Sequence, residues 1–495
     1  MPSRPRPLIL RQIVVTGWAA EVHPRLHCPG WNLARPKRDQ GNEDLFISAA
    51  NIATERRRVL QAKIHNVWRS GLSAVCALVL VFTWPGRCAA YSVLSHEAIV
   101  DSAWDTNIKP VLLKRFPLAT ADELRQAHGY AYGGAIIQDL GYYPHGSVLF
   151  SDLTHYVRSG DFILALLRDA QETNQLNDYA FALGALAHYA SDIAGHPIAT
   201  NRVVPLLYPK LKTKFGDSVT YENDPLAHVK TEFGFDVLEI AQQRYAPESY
   251  HDFIGFEVAV PLLERAFLET YGLPLKAVLS NEDLVLNSYR RAVSNQIPKA
   301  TRIAWTLKKD EIQKSVPGIT KNKFLFNLSR ASYEKKWGRN YQRPSFGEKF
   351  LAFLSKLLPK IGPLRVFEFR MPTPQAEKLF EESFNTTLSR YRTLLSDEGA
   401  GQLALTNDNF DTGGITGPGK YRMNDEAHAK LLNELSKQNF SGASIELHAE
   451  MLEFYGHPDA PYATKRNRKA WARVQAQLEQ WNNVSPPATA RSATD

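Results

Sequence analysis

From residue 91 onward the apolar positions recur at roughly every third or fourth residue, and no segment keeps the apolar–polar alternation of a long strand. The clearest run is Tyr179-Ala-Phe-Ala-Leu-Gly-Ala-Leu-Ala-His-Tyr-Ala-Ser-Asp-Ile-Ala194. It consists mostly of good helix formers, with small residues that permit close packing, and predicts a buried helix. Amphipathic helices are predicted over Ala227–Arg244 and Glu257–Tyr271, the second stopped by Gly272 and Pro274. Further helices are predicted over Phe346–Leu358, Pro374–Leu395, Asn424–Gln438, Ser444–Tyr455 and Thr464–Trp481. Residues 305–345, rich in Lys, Arg and Asn and interrupted by Pro317 and Pro344, read as a linker or extended surface segment. The stretch Asn407–Gly419 is dense in turn formers and reads as a loop. The expected fold class is all-α, a multi-helix domain followed by additional C-terminal helices.

The first ninety residues differ in kind. They carry 13 of the chain's 59 Lys and Arg and 5 of its 51 Asp and Glu, so the whole net charge of +8 lies there and the remainder is balanced. The basic isoelectric point is therefore a poor guide to partners of the rest of the chain. All three cysteines, Cys28, Cys76 and Cys88, also precede residue 91, so removal of this segment leaves no thiol chemistry. Arg56, Arg57, Arg58, Lys63 and Arg69 precede the apolar run Leu72–Trp84, which is followed by Cys88-Ala-Ala90. That order of basic, apolar and small residues is a secretory signal peptide, with cleavage expected near Ala90 and a secreted or periplasmic product. A retained anchor is the alternative, but the run falls short of the ~20 residues that span a bilayer. The expected organisation is an upstream extension or disordered segment over 1–55, a signal peptide over 56–90 and a catalytic domain over 91–304. The linker at 305–345, a helical region over 346–482 and a disordered tail over 483–495 follow.

The sharpest chemical signal is His188-x3-Asp192-x3-His196 on the buried helix. Steps of four residues turn only about 40° beyond a full helical turn, so the three side chains share one face. Three such groups on so apolar a helix need a partner. Zinc suits imidazole and carboxylate donors where no cysteine is available; hydrogen-bonded core residues are the alternative. His228-x3-Glu232 repeats the spacing further on. His96 lies five residues after Tyr91, whose freed α-amine is a possible ligand, and His155 follows Asp139 by sixteen residues. The only His-Glu pair, His96-Glu97, lacks a second histidine three residues later, which excludes a zincin protease motif.

In this order, the elements resemble the zinc-dependent phospholipases C, with their relatives the S1/P1-type nucleases and the N-terminal domain of glycosylphosphatidylinositol-specific phospholipase D. The resemblance covers about residues 91–270. It implies an all-helical fold and three zinc ions: Tyr91 and His96 on one, Asp139, His155 and His188 on a second, Asp192 bridging these two, and His196, His228 and Glu232 on the third. Two features depart from the common pattern: Tyr91 where Trp is usual, and three residues, Ile193-Ala-Gly195, where five usually separate Asp from His. The shorter spacing looks like the phospholipase D branch and leans toward a lipid substrate.

The implied function is a secreted phosphodiester hydrolase, a phospholipase C acting on phospholipid head groups through a trinuclear zinc site and a bridging hydroxide. Asp139 and Asp192 are its candidate catalytic residues, and transient contact with a membrane surface is expected. A single-strand nuclease, which alone would make nucleic acid a partner, is one alternative. A non-catalytic zinc-stabilised binding module is the other. If the amine of Tyr91 is a ligand, one extra residue before it displaces that amine. Protein so extended is expected to lose roughly tenfold or more of its phosphodiesterase activity, assayed beside protein beginning at Tyr91; equal activity contradicts the ligand assignment.

Overall fold

The computed structural model describes residues 93–245, 256–293, 297–325, 362–457 and 467–484. The signal-peptide segment, Tyr91 and the helix expected over 346–358 lie outside the described residues. All those described belong to one compact unit, Leu78–Asp495.

Among the described residues the chain is helical, and the only β-type pairing is an isolated antiparallel bridge between Asp408 and Ile415. The α-helices are α1 (Val93–Ala103), α2 (Lys109–Arg115), α3 (Ala121–Gly134), α4 (Val148–Tyr156), α5 (Ser159–Thr173), α6 (Leu176–Gly195), α7 (Asn201–Leu207), α8 (Pro209–Phe215) and α9 (Pro225–Ala241). They continue as α10 (Val260–Tyr271), α11 (Leu275–Val278), α12 (Glu282–Arg291), α13 (Ile297–Ser315), α14 (Lys321–Leu325), α15 (Pro374–Ala400), α16 (Arg422–Lys437), α17 (Ile445–Gly456) and α18 (Arg468–Asn482). Among the described residues, no helix is long and apolar enough to cross a membrane.

Local chemistry accounts for several boundaries. The Thr120 hydroxyl accepts from the Glu123 amide while the Glu123 carboxylate accepts from the Thr120 amide, a capping box that starts α3. Asp224 caps α9 through the Ala227 amide, with Pro225 in the first turn where its missing N–H costs nothing. Helix α15 ends where Gly401 enters the left-handed region at φ +68°.

The apolar run predicted as a buried helix is α6, and every residue from Tyr179 to Gly195 is buried. Its small residues let α3 lie unusually close. A β-carbon at Gly184 would stand 2.0 Å from the Ala131 carbonyl oxygen, and one at Gly134 would stand 1.9 Å from that of Phe181. Helix α15 also packs on α6, and the Tyr391 hydroxyl donates to the Leu183 carbonyl at 2.8 Å.

The sequence reading of residues 305–345 as extended holds poorly at its start. Residues 297–315 form α13 and 321–325 form α14. The apolar stripe there is narrow: Ala304, Trp305 and Ile312 are buried against Phe324 and the side chains of α9, while Lys and Asp occupy the outer face. The C-terminal helices are part of the same body. Leu431, Leu432, Leu447, Met451 and Trp481 belong to one apolar cluster with Phe150, Phe162, Phe181 and Leu186. Lys430 Nζ meets a buried Asp152 oxygen at 2.9 Å, tying α16 to α4.

Because a side chain at Gly184 meets backbone rather than a movable side chain, Gly184→Leu is expected to destabilise the protein by roughly 3 kcal/mol or more. Thermal unfolding followed by circular dichroism measures this, and a transition unchanged from wild type contradicts the close packing of α3 on α6.

Candidate metal centre

Helix α6 presents His188 and Asp192 one turn apart, and His196 follows at its end. There Pro197, which has no amide hydrogen, shifts the chain into a π turn over His196–Thr200. The helical twist continues through His196, so the four-residue spacing keeps all three side chains on one side. The remaining donors arrive from separate elements. His96 comes from α1, Asp139 from a 3-10 turn over Ile137–Tyr142, His155 from the last turn of α4, and His228 and Glu232 from the first turns of α9.

The structure brings these eight residues into three groups: His96 with His188 and Asp192; Asp139 with His155 and His188; and His196 with His228 and Glu232. Within each, the ligand-type atoms lie within 4.8 Å of one another. Asp192 divides its two oxygens. Oδ1 faces His96 Nε2 at 3.5 Å, whereas Oδ2 faces His188 Nε2 at 3.1 Å and His155 Nε2 at 3.5 Å. Asp139 Oδ1 lies 3.3 Å from His155 Nε2, and Glu232 Oε1 lies 3.2 Å from His228 Nε2 and 3.9 Å from His196 Nε2. The ninth residue expected, Tyr91, is outside the described residues, two positions before the start of α1.

The donor set fits zinc. None of the eight residues is more than 4% exposed. Nε2 of His155, His188, His196 and His228, both oxygens of Asp192, Asp139 Oδ1 and Glu232 Oε1 form no hydrogen bond. Buried polar atoms left in that state cost free energy unless a ligand satisfies them. Their orientation into shared spaces, with nitrogen and oxygen donors and no sulfur, is that of a zinc centre.

Electrostatics point the same way. Burial, and then the charges of Asp192 and Asp139, push the Glu232 carboxyl well above its usual range. Burial also raises Asp139. Burial and the neighbouring His196 lower His228 to about 3. Burial and His188, whose ring stacks on its own at 4.3 Å, hold His96 well below the ordinary histidine value. Burial opposes charging at Asp192 and at His155, but their neighbours outweigh it. His188 and His155 hold Asp192 well below the carboxylate range, and the two aspartates raise His155 to about 10. Without a metal, the cluster is thus balanced by protons on its imidazoles and carboxyls, and a bound divalent cation would displace them.

Several imidazoles are aimed by hydrogen bonds from their other nitrogen. Nδ1 of His155 donates to the Ser151 carbonyl at 2.8 Å, and Nδ1 of His188 to the Ala135 carbonyl at 2.9 Å. Both bonds turn Nε2 inward as an electron-pair donor. For His196 the acceptor is the Asp411 carboxylate, at 2.9 Å. Asp411 lies in the Asn407–Gly419 loop, where sequence reasoning saw turn formers and no chemistry. Among the tyrosines of this region, Tyr142 and Tyr156 pack against His155, whereas Tyr132 bonds Asp101 and Tyr143 packs on Tyr289. His128, stacked on Trp104 at 3.8 Å and paired with Asp101 at 3.0 Å, belongs to none of the three groups.

Fold and donor set together define a helical domain with three candidate metal-binding groups. Residues 95–281 match the family described as zinc dependent phospholipase C, and this match supports membership of that family for this part of the chain. No curated protein and no solved structure matches the chain. The matched range contains all eight residues of the three groups and excludes Asp411.

Removal of the metal leaves these buried donors unsatisfied, so chelation is expected to lower the melting temperature and zinc to restore it. The effect corresponds to about 4 kcal/mol per site when free zinc exceeds its Kd a thousandfold. Calorimetry with and without chelator measures it; identical transitions contradict metal binding.

Proposed function

We propose that the protein is a secreted zinc-dependent phospholipase C that hydrolyses the phosphodiester of phospholipid head groups. The observation that carries this reading is the convergence of eight buried imidazoles and carboxylates into three groups, two of which share His188 and are both faced by Asp192. Three zinc ions are assigned accordingly. His96 and Asp192, with the main chain of Tyr91, hold one; Asp139, His155, His188 and Asp192 hold the second; His196, His228 and Glu232 hold the third.

Zinc bound there supplies Lewis acidity, which offsets phosphate charge, acidifies a water and stabilises the departing oxygen. The chain's own residues set the stage for that chemistry. Asp192 lies between the first two groups, with one oxygen facing His96 and the other facing His155 and the shared His188. Asp139, whose affinity for a proton burial raises, is suited to orient the incoming water and take its proton. Tyr142 and Tyr156 wall the His155 side with apolar ring surface and limit access of bulk water.

The lipid assignment is supported by the family and by the charge balance beyond residue 90, which lacks the basic excess that polyanion binding favours. Secretion is proposed from the basic and apolar segments before Tyr91.

The test is a parallel assay of zinc-loaded protein beginning at Tyr91 on phosphatidylcholine, phosphatidylinositol and single-stranded DNA. Release of a phosphorylated head group and diacylglycerol is expected, and Asp192→Asn is expected to lower kcat by roughly a thousandfold or more. Cleavage of DNA alone overturns the lipid assignment, and stoichiometric zinc without hydrolysis of any substrate indicates a zinc-stabilised binding module.

A further inference from the structure

The Asn407–Gly419 loop comes from the C-terminal region and lies outside the matched family segment, yet it reaches the centre. Asp411, 1% exposed, makes its side-chain hydrogen bond to the centre. One carboxylate oxygen accepts from His196 Nδ1 at 2.9 Å across 215 residues of chain. The other accepts from the Tyr221 amide at 2.9 Å and from the Tyr421 hydroxyl. The Asp411 carbonyl accepts from Asn201 Nδ2 at 2.6 Å, so His196 and Asn201 grip the same residue from either end of the π turn.

The loop is seated firmly enough to act as a fixed support. Asn409 and Gly414, and Asn407 and Thr416, are joined by main-chain hydrogen bonds. The Phe410 amide donates to the His155 carbonyl at 3.2 Å, and its ring lies 5.1 Å from His155 and 5.8 Å from His188. Gly413, at φ +70°, passes so close to α6 that a β-carbon there would stand 2.5 Å from the Ile193 carbonyl oxygen. Only glycine satisfies both conditions.

We infer that Asp411 is a positioning residue of the His196–His228–Glu232 group, and that the zinc centre is completed by the C-terminal region. The inference rests on the reading of that group as a zinc site. A carboxylate that only accepts obliges His196 to carry its proton on Nδ1, which leaves the Nε2 lone pair directed at Glu232 and His228. It also makes that nitrogen more basic and holds the ring plane. Asp411→Asn keeps the size of the side chain and removes the charge.

The experiment is a competition titration of the full protein with a chromophoric chelator, with zinc per chain counted at each free-zinc level, backed by the visible spectrum after cobalt substitution. Asp411→Asn is expected to weaken one ion by about 10- to 100-fold and alter its cobalt bands, leaving the others at wild-type affinity. Asp408→Asn is the control, because that carboxylate lies in the same loop and accepts from Tyr189 at 3.0 Å instead of a ligand; it is expected to leave all ions unchanged. Tyr421→Phe, which takes one donor from Asp411, is the second variant should Asp411→Asn fail to fold, and is expected to weaken the same ion to a smaller extent. An Asp411→Asn titration superimposable on wild type overturns the inference, as does equal weakening by Asp408→Asn. A wild-type protein whose zinc count is unaltered by His228→Ala overturns instead the zinc reading on which it rests.

Discussion

Placing imidazoles and carboxylates inside an apolar helical core is the constraint on which the structure turns. An ionised carboxylate without a partner is expensive to bury, and Asp139, Asp192 and Glu232 are buried near one another. The protein's own response is partial. Imidazoles lend charge to Asp192, while burial keeps Glu232 inclined to hold a proton. Cations bound there would satisfy such a cluster, and the helices around it are arranged so that donor atoms converge, several with hydrogen bonds at their backs.

Close helix packing is what supplies those bonds. Gly134 and Gly184 allow α3 and α6 to approach until backbone meets backbone, and Ala135, at the end of α3, then presents its carbonyl to His188 Nδ1. Packing and coordination are therefore one arrangement. The C-terminal region extends the same logic. Its apolar side chains continue the core of the first helices, Lys430 answers the charge of Asp152 on α4, and the loop before α16 carries Asp411 to the third group. The apolar core runs across the boundary drawn at residues 304–346 from composition.

The legible part of the site was the part with local periodicity. His188, Asp192 and His196 share a helix face by spacing alone, and His228 with Glu232 do likewise. His96, Asp139 and His155 carry no such mark, because each stands on a different element and none has a second donor at helical spacing pointing the same way. Their order along the chain, matched to a family, is what singled them out. Asp411 had no signal of either kind: an aspartate among Asn, Thr and Gly is ordinary turn chemistry. The stretch after residue 304 was misread for a related reason. A helix with one narrow buried stripe, here Ala304, Trp305 and Ile312, is polar over most of its surface and looks extended when Lys and Asn dominate the count.

The sequence by itself determined the helical class, the buried status of α6, the shared face of its three donors and the nitrogen-and-oxygen chemistry that selects zinc. Those properties depend on neighbours within a turn or two, where backbone geometry converts spacing into direction. Only the tertiary structure decided that Asp192 divides its oxygens between two groups, that Ala135 and Ser151 aim two of the imidazoles, and that a loop 215 residues from His196 aims a third. Such meetings depend on how helices cross and how closely they approach, which is set by the summed packing of many side chains.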